Sequence, residues 1–248
     1  MGSTDSDRLP AERSYFATTH WTLVCAAGSP DSPQYKVALE MLCRAYWYPL
    51  YAFLRRDGHG AHDAQDYTQE FLAELLSRND LGRVVPGRGK FRSFLLVAMK
   101  NFLIRQRERR NALKRGGGQV ITSIDFGVAE DRYGREPASG MTPDAIFQRR
   151  WALDLLERVV RRLEDEYTAL NKGKEFAQLK QVIVPAADQR SYRDIGENLG
   201  ISEGAVKVSA HRVRKRYREL LREEVGHTVS DPAQVEEEIT DLIKSLAG

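Results

Sequence analysis

The sequence has little from which a metal or redox centre could be assembled. Of its 248 residues two are cysteine, Cys25 and Cys43. They sit in apolar company without CxxC spacing, so they read as small buried thiols of a reducing compartment, and neither a zinc ribbon nor a dithiol pair can be written from them. Long hydrophobic runs are missing as well. Stretches such as Leu95 to Met99 fall far short of the ~20 residues that a membrane span needs. Acids at Asp5, Asp7 and Glu12 stand where a secretory leader would begin with basic residues. The expectation is a cytoplasmic protein with no membrane partner. Nor does one sign of charge dominate: 38 Lys and Arg oppose 35 Asp and Glu, for a net charge of +3. That sum is too small to imply a nucleic-acid partner, so the placement of the charges has to carry the argument.

What is present is helical periodicity. Leu39, Leu42, Cys43, Tyr46, Leu50, Phe53 and Leu54 recur at three-and-four spacing and predict an amphipathic helix over 36–57, interrupted by Pro49 and stopped by Gly58 and Gly60. A second helix is expected from Asp63, as N-cap, to Arg78, with Ala64, Tyr67, Phe71, Leu75 and Leu76 inward. Residues 79–90 hold Gly82, Pro86, Gly87 and Gly89 and read as a loop. A third helix starts near Phe91 and runs toward Lys114. Residues 116–145 show a triple glycine, prolines and no lasting helical period, which suggests a flexible linker. The helical pattern returns from Ile146, and a last acidic amphipathic helix covers about Val235 to Leu246. Val182 to Val184 is the one stretch that invites a strand. The expected architecture is all-α, with two helical domains at 35–115 and 146–225. A linker at 116–145 joins them, an N-terminal extension covers 1–34 and an acidic C-terminal extension covers 226–248.

The clearest local signal is Ser191-Tyr-Arg-Asp-Ile-Gly-Glu-Asn-Leu-Gly-Ile-Ser-Glu-Gly-Ala-Val-Lys. Ser191 and Asp194 have capping-box spacing, and Gly200 ends the first helix where a left-handed residue is needed. Ser202 caps a second helix that turns Val206, Ala210, Val213 and Tyr217 inward. Two short helices about a glycine turn form a helix-turn-helix, whose second helix enters the DNA major groove. Glu203, Lys207, Val208, His211, Arg212, Arg214, Lys215 and Arg218 then lie on or beside the outer face. There the cations can neutralise phosphates, and Lys207, His211 and Arg212 can reach base edges. The competing reading is an ordinary solvated basic face.

Two further segments carry chemistry. Arg88, Lys90, Arg92, Lys100, Arg105, Arg107, Arg109, Arg110, Lys114 and Arg115 interleave with Phe91, Phe94 and Phe102. Cations of this kind track a phosphate backbone, and exposed aromatics stack on unpaired bases. Phe94 and Phe102 read as core; Phe91, at the loop edge, is left open. In Asp63-Ala-Gln-Asp-Tyr-Thr-Gln-Glu-Phe, Asp66, Gln69 and Glu70 share an outer face. They lack a nucleophile and a convergent histidine, so a protein-docking or merely solvated face fits better than a catalytic pair. His59, His62, Asp63 and Asp66 could be written as a metal cluster, but the remaining histidines lie in other elements, and metal catalysis is set aside. Neither a cofactor nor a catalytic residue is expected.

At this point the residues resemble a family. Asp63, Ala64, Asp66, Gln69 and Glu70 look like region 2.2 of sigma factors. Phe91-Arg-Ser-Phe-Leu95 with Lys100-Asn101 resembles regions 2.3 and 2.4, and Ser191 to Leu221 resembles region 4.2. The order, with no region 3 domain between them, matches the extracytoplasmic-function group of sigma-70-like factors. The Lys-Arg-Gly-Gly-Gly run, Thr19-His-Trp-Thr and the long tail resemble the larger variants of bacteria such as planctomycetes. The resemblance implies a non-enzymic factor that directs RNA polymerase core to promoter DNA. Asp63, Asp66, Gln69 and Glu70 would grip the β′ coiled coil of the polymerase. Phe91, Arg92, Lys100, Asn101, Arg105 and Arg107 would contact the -10 element. Ser202, Glu203, Lys207, Val208, His211, Arg212, Arg214 and Lys215 would contact the -35 element, in a domain that also meets the β flap. It leaves room for an anti-sigma factor or other regulator. Two departures stand out: Arg105 replaces the acid that many members carry, and Tyr167 to Asp188 is longer and more polar than the usual junction. The alternative is a stand-alone helix-turn-helix regulator on duplex operator DNA.

Overall fold

The computed structural model describes residues 24, 27–29, 31–77, 90–112, 129–136, 140–184, 190–229 and 231–247. The N-terminal extension before residue 24, the loop at 78–89 and the glycine-rich 113–128 lie outside them. Among the described residues every regular element is helical.

Helix α1, Tyr35–Arg56, contains Pro49 and ends where Gly58 takes φ +95°. Its sequence suggests one apolar stripe, yet every side chain from Tyr48 to Leu54 is buried. Both sides are covered because α1 is sandwiched. On one side α2, Ala61–Ser77, buries Ala64, Tyr67, Phe71, Leu72 and Leu75. Asp63 falls in the first turn of α2, not at its cap. Helix α3, Phe91–Ala112, packs Phe102 edge-on against Tyr67 and Phe71.

The other side of α1 is covered by residues read from sequence as linker. Ala129–Tyr133 form a short helix, α4. Glu130 accepts hydrogen bonds from the Tyr51 hydroxyl and from Arg55 Nε, the latter at 2.8 Å. The Arg132 guanidinium lies 3.8 Å over the Tyr48 ring. Burial and the Glu130 carboxylate raise the Tyr51 hydroxyl pKa. Helix α5, Pro143–Ala169, begins earlier than its apolar pattern does: Thr142 caps it by accepting from Ala145 N at 3.2 Å, and Pro143 holds the first turn.

Helix α5 is the common partner of both halves. Near its start Arg149 and Arg150 meet Glu136, each at 3.1 Å, and Asp154 meets Arg132 at 3.0 Å. Near its end Glu166 takes Arg216 of α8 in a two-pronged pair, at 2.7 and 2.8 Å. Apolar contact is continuous through Phe147, Trp151, Leu155, Val159 and Leu163. Beyond α5 come α6, Gly173–Leu179, and a 3-10 turn at Lys180–Val182, and Val182 to Val184, which invite a strand in the sequence, form none. Then follow α7, Tyr192–Leu199, α8, Glu203–Gly226, and α9, Val235–Ala247.

Candidate nucleic-acid and polymerase-docking surfaces

The turn between α7 and α8 is built by short-range chemistry. The Ser191 hydroxyl accepts from Asp194 N at 3.2 Å, while Asp194 Oδ2 accepts from Ser191 N at 3.1 Å, closing a capping box. The Ser191 side chain first, and its backbone N–H second, lower the Asp194 carboxyl pKa. Gly200 adopts φ +68° and ends α7. The Ser202 hydroxyl accepts from Ala205 N at 3.2 Å and starts α8. Ile195, Val206, Ala210 and Val213 are buried between the two helices.

Gly196 was not singled out from sequence. A Cβ there would sit 2.7 Å from the Ile201 carbonyl oxygen, so α7 and the turn approach each other more closely than any side chain permits. A glycine inside an eight-residue helix was the available signal, because glycine costs about 1 kcal/mol against alanine there and needs a reason.

The outer face of α8 carries Glu203, Lys207, Val208, His211, Arg212, Lys215 and Arg218, all exposed. Glu203 pairs with Lys207 at 2.7 Å, which lowers the carboxyl pKa and raises the ammonium pKa. Val208, 52 % exposed, is an apolar spot among these polar neighbours. Arg214 is different. Its guanidinium donates to the Tyr192 hydroxyl at 3.1 Å and to the Val182 carbonyl at 3.3 Å, tying α8 to α7 and to the turn before it.

On α3, Val97, Lys100, Asn101, Ile104 and Arg107 form one exposed stripe. Val97 and Ile104 are 59 % and 53 % exposed. Neither was singled out from sequence; their seven-residue spacing, on the face away from Leu96 and Leu103, is the signal for a contact surface. The other α3 candidates face inward. Phe91 is 3 % exposed and packs against Tyr46 and Phe94, with ring centroids 5.4 and 5.9 Å away. Arg92 is 6 % exposed, with its guanidinium 4.2 Å from the Trp151 ring centroid and its Nε donating to Gln148 at 2.7 Å. Burial lowers its pKa to about 10. In this arrangement neither Phe91 nor Arg92 is presented to a DNA strand. Arg105 pairs with Glu74 of α2 at 2.5 Å, Arg107 lies 3.5 Å from Asp57, and Lys100 pairs with Asp144 of α5 at 2.7 Å.

On α2, Asp66 is exposed, with His62 Nδ1 2.9 Å away. Asp63 and Gln69 are half-buried. Glu70 accepts from Gln106 of α3 at 2.5 Å, so it is partly committed to holding the two helices together. His59 lies against Tyr67 and 3.5 Å from Asp57, apart from the His62–Asp66 contact. Among the described residues no group of three or more His, Cys, Asp or Glu could hold a metal ion, and no helix is long and apolar enough to cross a membrane.

A family model described as ECF sigma factor matches residues 59–223, from just before α2 to the end of α8. The chain belongs to the ECF sigma factor family. No curated protein and no solved structure matches it. As a sigma factor it directs RNA polymerase to promoters and serves transcription initiation. The match takes in α2, the stripe of α3 and the α7–α8 turn together, so the acidic and both basic surfaces of this sigma factor lie within the family's extent.

Proposed function

We propose that this sigma factor is a non-enzymic cytoplasmic protein that divides its work among three surfaces. Residues 35–115 act as the region 2-like unit. Asp66, with Asp63, Gln69 and Glu70 beside it, docks on the β′ coiled coil of core polymerase. The α3 stripe around Lys100, Asn101 and Arg107 meets the -10 element, joined by Phe91, Arg92 and Arg105 when their present contacts are given up. Residues 146–225 act as the region 4-like unit, which meets the β flap and reads the -35 element through Ser202, Glu203, Lys207, Val208, His211, Arg212 and Lys215. Arg214, exposed beside them, joins that contact and also braces α8 against α7 through the Tyr192 hydroxyl. An anti-sigma factor or another regulator is a further partner.

The observation that carries this reading is the capped α7–α8 turn, which buries Val206, Ala210 and Val213 and leaves Lys207, His211, Arg212, Lys215 and Arg218 exposed outside. Tethering both units to one polymerase lets two weak DNA contacts act at high effective concentration. Two variants test the assignment. Asp66→Arg should keep the fold, since exposed substitutions usually change stability by within about 0.5 kcal/mol. It should abolish co-purification with core polymerase, because like charges opposed across an interface cost several kcal/mol. Arg212→Ala should leave core binding intact and lower run-off transcription from a cognate promoter. A folded Asp66→Arg protein that binds core normally refutes the docking assignment.

A further inference from the structure

Helix α9 is acidic at its start, with Glu236, Glu237 and Glu238 in the first turn and Asp241 one turn on. An acidic helix end would ordinarily point its carboxylates to water. Here Glu238 is fully buried. It pairs with Arg92 and, at 2.5 Å, with Lys90; Asp241 reaches the same Lys90 at 2.6 Å. Buried Leu242 anchors the helix against α5 and α8. The two cations at the head of α3 are therefore held by carboxylates from the far end of the chain, and Lys100 further along is held by Asp144 of α5.

Where the pair is buried, as Arg92 and Glu238 are, the guanidinium is both shielded from a phosphate and neutralised, whereas an exposed pair such as Lys207 with Glu203 leaves its cation within reach of one. A buried ion pair is also a poor source of stability, because desolvation of both partners offsets most of their attraction. Such a contact selects one arrangement and yields to a competitor that offers more charge.

We propose that α9 is an autoinhibitory helix: Glu238 and Asp241 stand in for nucleic-acid phosphates on Lys90 and Arg92, and α9 must leave before the head of α3 can bind DNA. The proposal rests on the reading of α3 as a DNA-contacting helix. Because the coupling is reciprocal, DNA that binds α3 must loosen α9 by the same factor that α9 weakens DNA.

The test uses the full chain and a short labelled single-stranded DNA. Affinity is read by fluorescence anisotropy, and the state of α9 by hydrogen exchange over residues 235–247. Glu238→Gln with Asp241→Asn should tighten binding by roughly ten- to a hundredfold and deprotect α9. Leu242→Asp, which removes the apolar anchor and leaves the paired carboxylates in place, should do the same. Glu237→Gln removes charge from the exposed side of the same helix without touching α3 and should leave affinity nearly unchanged; Glu236 is kept because it pairs with Arg222 of α8 at 2.7 Å. DNA added to the unaltered chain should speed exchange in α9. Released α9 with unchanged DNA affinity overturns the autoinhibition alone, as does an equal gain in the matched control. An α9 that stays protected in both releasing variants overturns the assigned contacts. Absence of DNA binding by the chain and by all its variants overturns the DNA-contacting reading of α3, and the proposal with it.

Discussion

Gly196→Ala offers a test in which two physical effects have opposite signs. Judged by propensity alone, alanine in place of a helical glycine stabilises by about 1 kcal/mol. The geometry predicts the reverse. The new Cβ would lie 2.7 Å from the Ile201 carbonyl oxygen, and that atom belongs to backbone that also donates from Ile201 N to the Gly196 carbonyl at 3.0 Å. Relief requires α7 and the turn to separate by several tenths of an ångström, and overpacking of this kind costs about 1–3 kcal/mol. The net result should be a loss of up to about 2 kcal/mol, which for a chain of this size lowers the melting temperature by about 2–4 °C per kcal/mol. Gly204→Ala is the matched control, since the nearest atom to its Cβ would be Ser202 Oγ at 3.9 Å. It should be neutral or mildly stabilising. Thermal unfolding of both full-length variants, with duplex -35 binding measured well below the transition, reads the effect. Gly196→Ala should also weaken duplex binding, because the turn that aims α8 has moved. A Gly196→Ala protein that melts higher than the parent would refute the close-approach argument.

Three further variants have expected outcomes. His227 is half-buried at the end of α8, and its pKa is lowered by burial, with Glu223, Glu224 and Arg162 as its charged neighbours. Since the folded state binds the proton more weakly than the unfolded chain, the stability tied to neutral His227 is present above about pH 6.5 and lost as pH falls through the depressed folded value. His227→Gln should flatten the fall in melting temperature on acidification, and an unchanged pH profile counts against this origin. On α8, Lys215→Ala should reduce the slope of log affinity against log salt by about 0.9 without affecting stability. Arg214→Ala should instead lower the melting temperature by the worth of its hydrogen bonds, about 0.5–1.5 kcal/mol each; the opposite partition would reverse the two roles.

The parts of this fold that local chemistry decides were legible in the sequence. The capping box at Ser191 and Asp194, the left-handed Gly200 and the Ser202 cap each depend on residues within three or four positions, and all are found as the spacing implies. The inner face of α2 was readable for the same reason at Ala64, Tyr67, Phe71 and Leu75, while Leu72 was missed and the side chain of Leu76 lies outside the described residues. What distance in the chain decides was not legible. Helix α4 is only five residues long, too short to show a period, and is held by Arg55 and Tyr51 of α1. The start of α5 did carry a local signal in Thr142-Pro143, which its glycine- and proline-rich surroundings masked. The fates of Phe91 and Arg92 could not be read at all, because Trp151 and Glu238, which lie against Arg92, come from other helices. Arg105 and Glu70 turn toward each other's helix for a similar reason: once α2 and α3 pack, the nearest opposite charges and amides are across the seam and not in solvent.

The double engagement of α5 bears on how such factors could be recombined. Its first half is bound to Glu136 through Arg149 and Arg150, to α4 through Asp154 on Arg132 and to α1 through Arg150 over the Tyr48 ring, and its last turns to α8 through Arg162 and Glu166. A chimera spliced in the glycine-rich 116–128 would strip α1 of its cover, and one spliced after α6 would leave Arg162 and Glu166 facing a foreign helix. The junction that respects both sets of partners falls inside α5, between Leu155 and Arg158, with the helical phase kept. For the ion pairs of α5 itself, the splice that disturbs least lies in the middle of a helix and not in a loop.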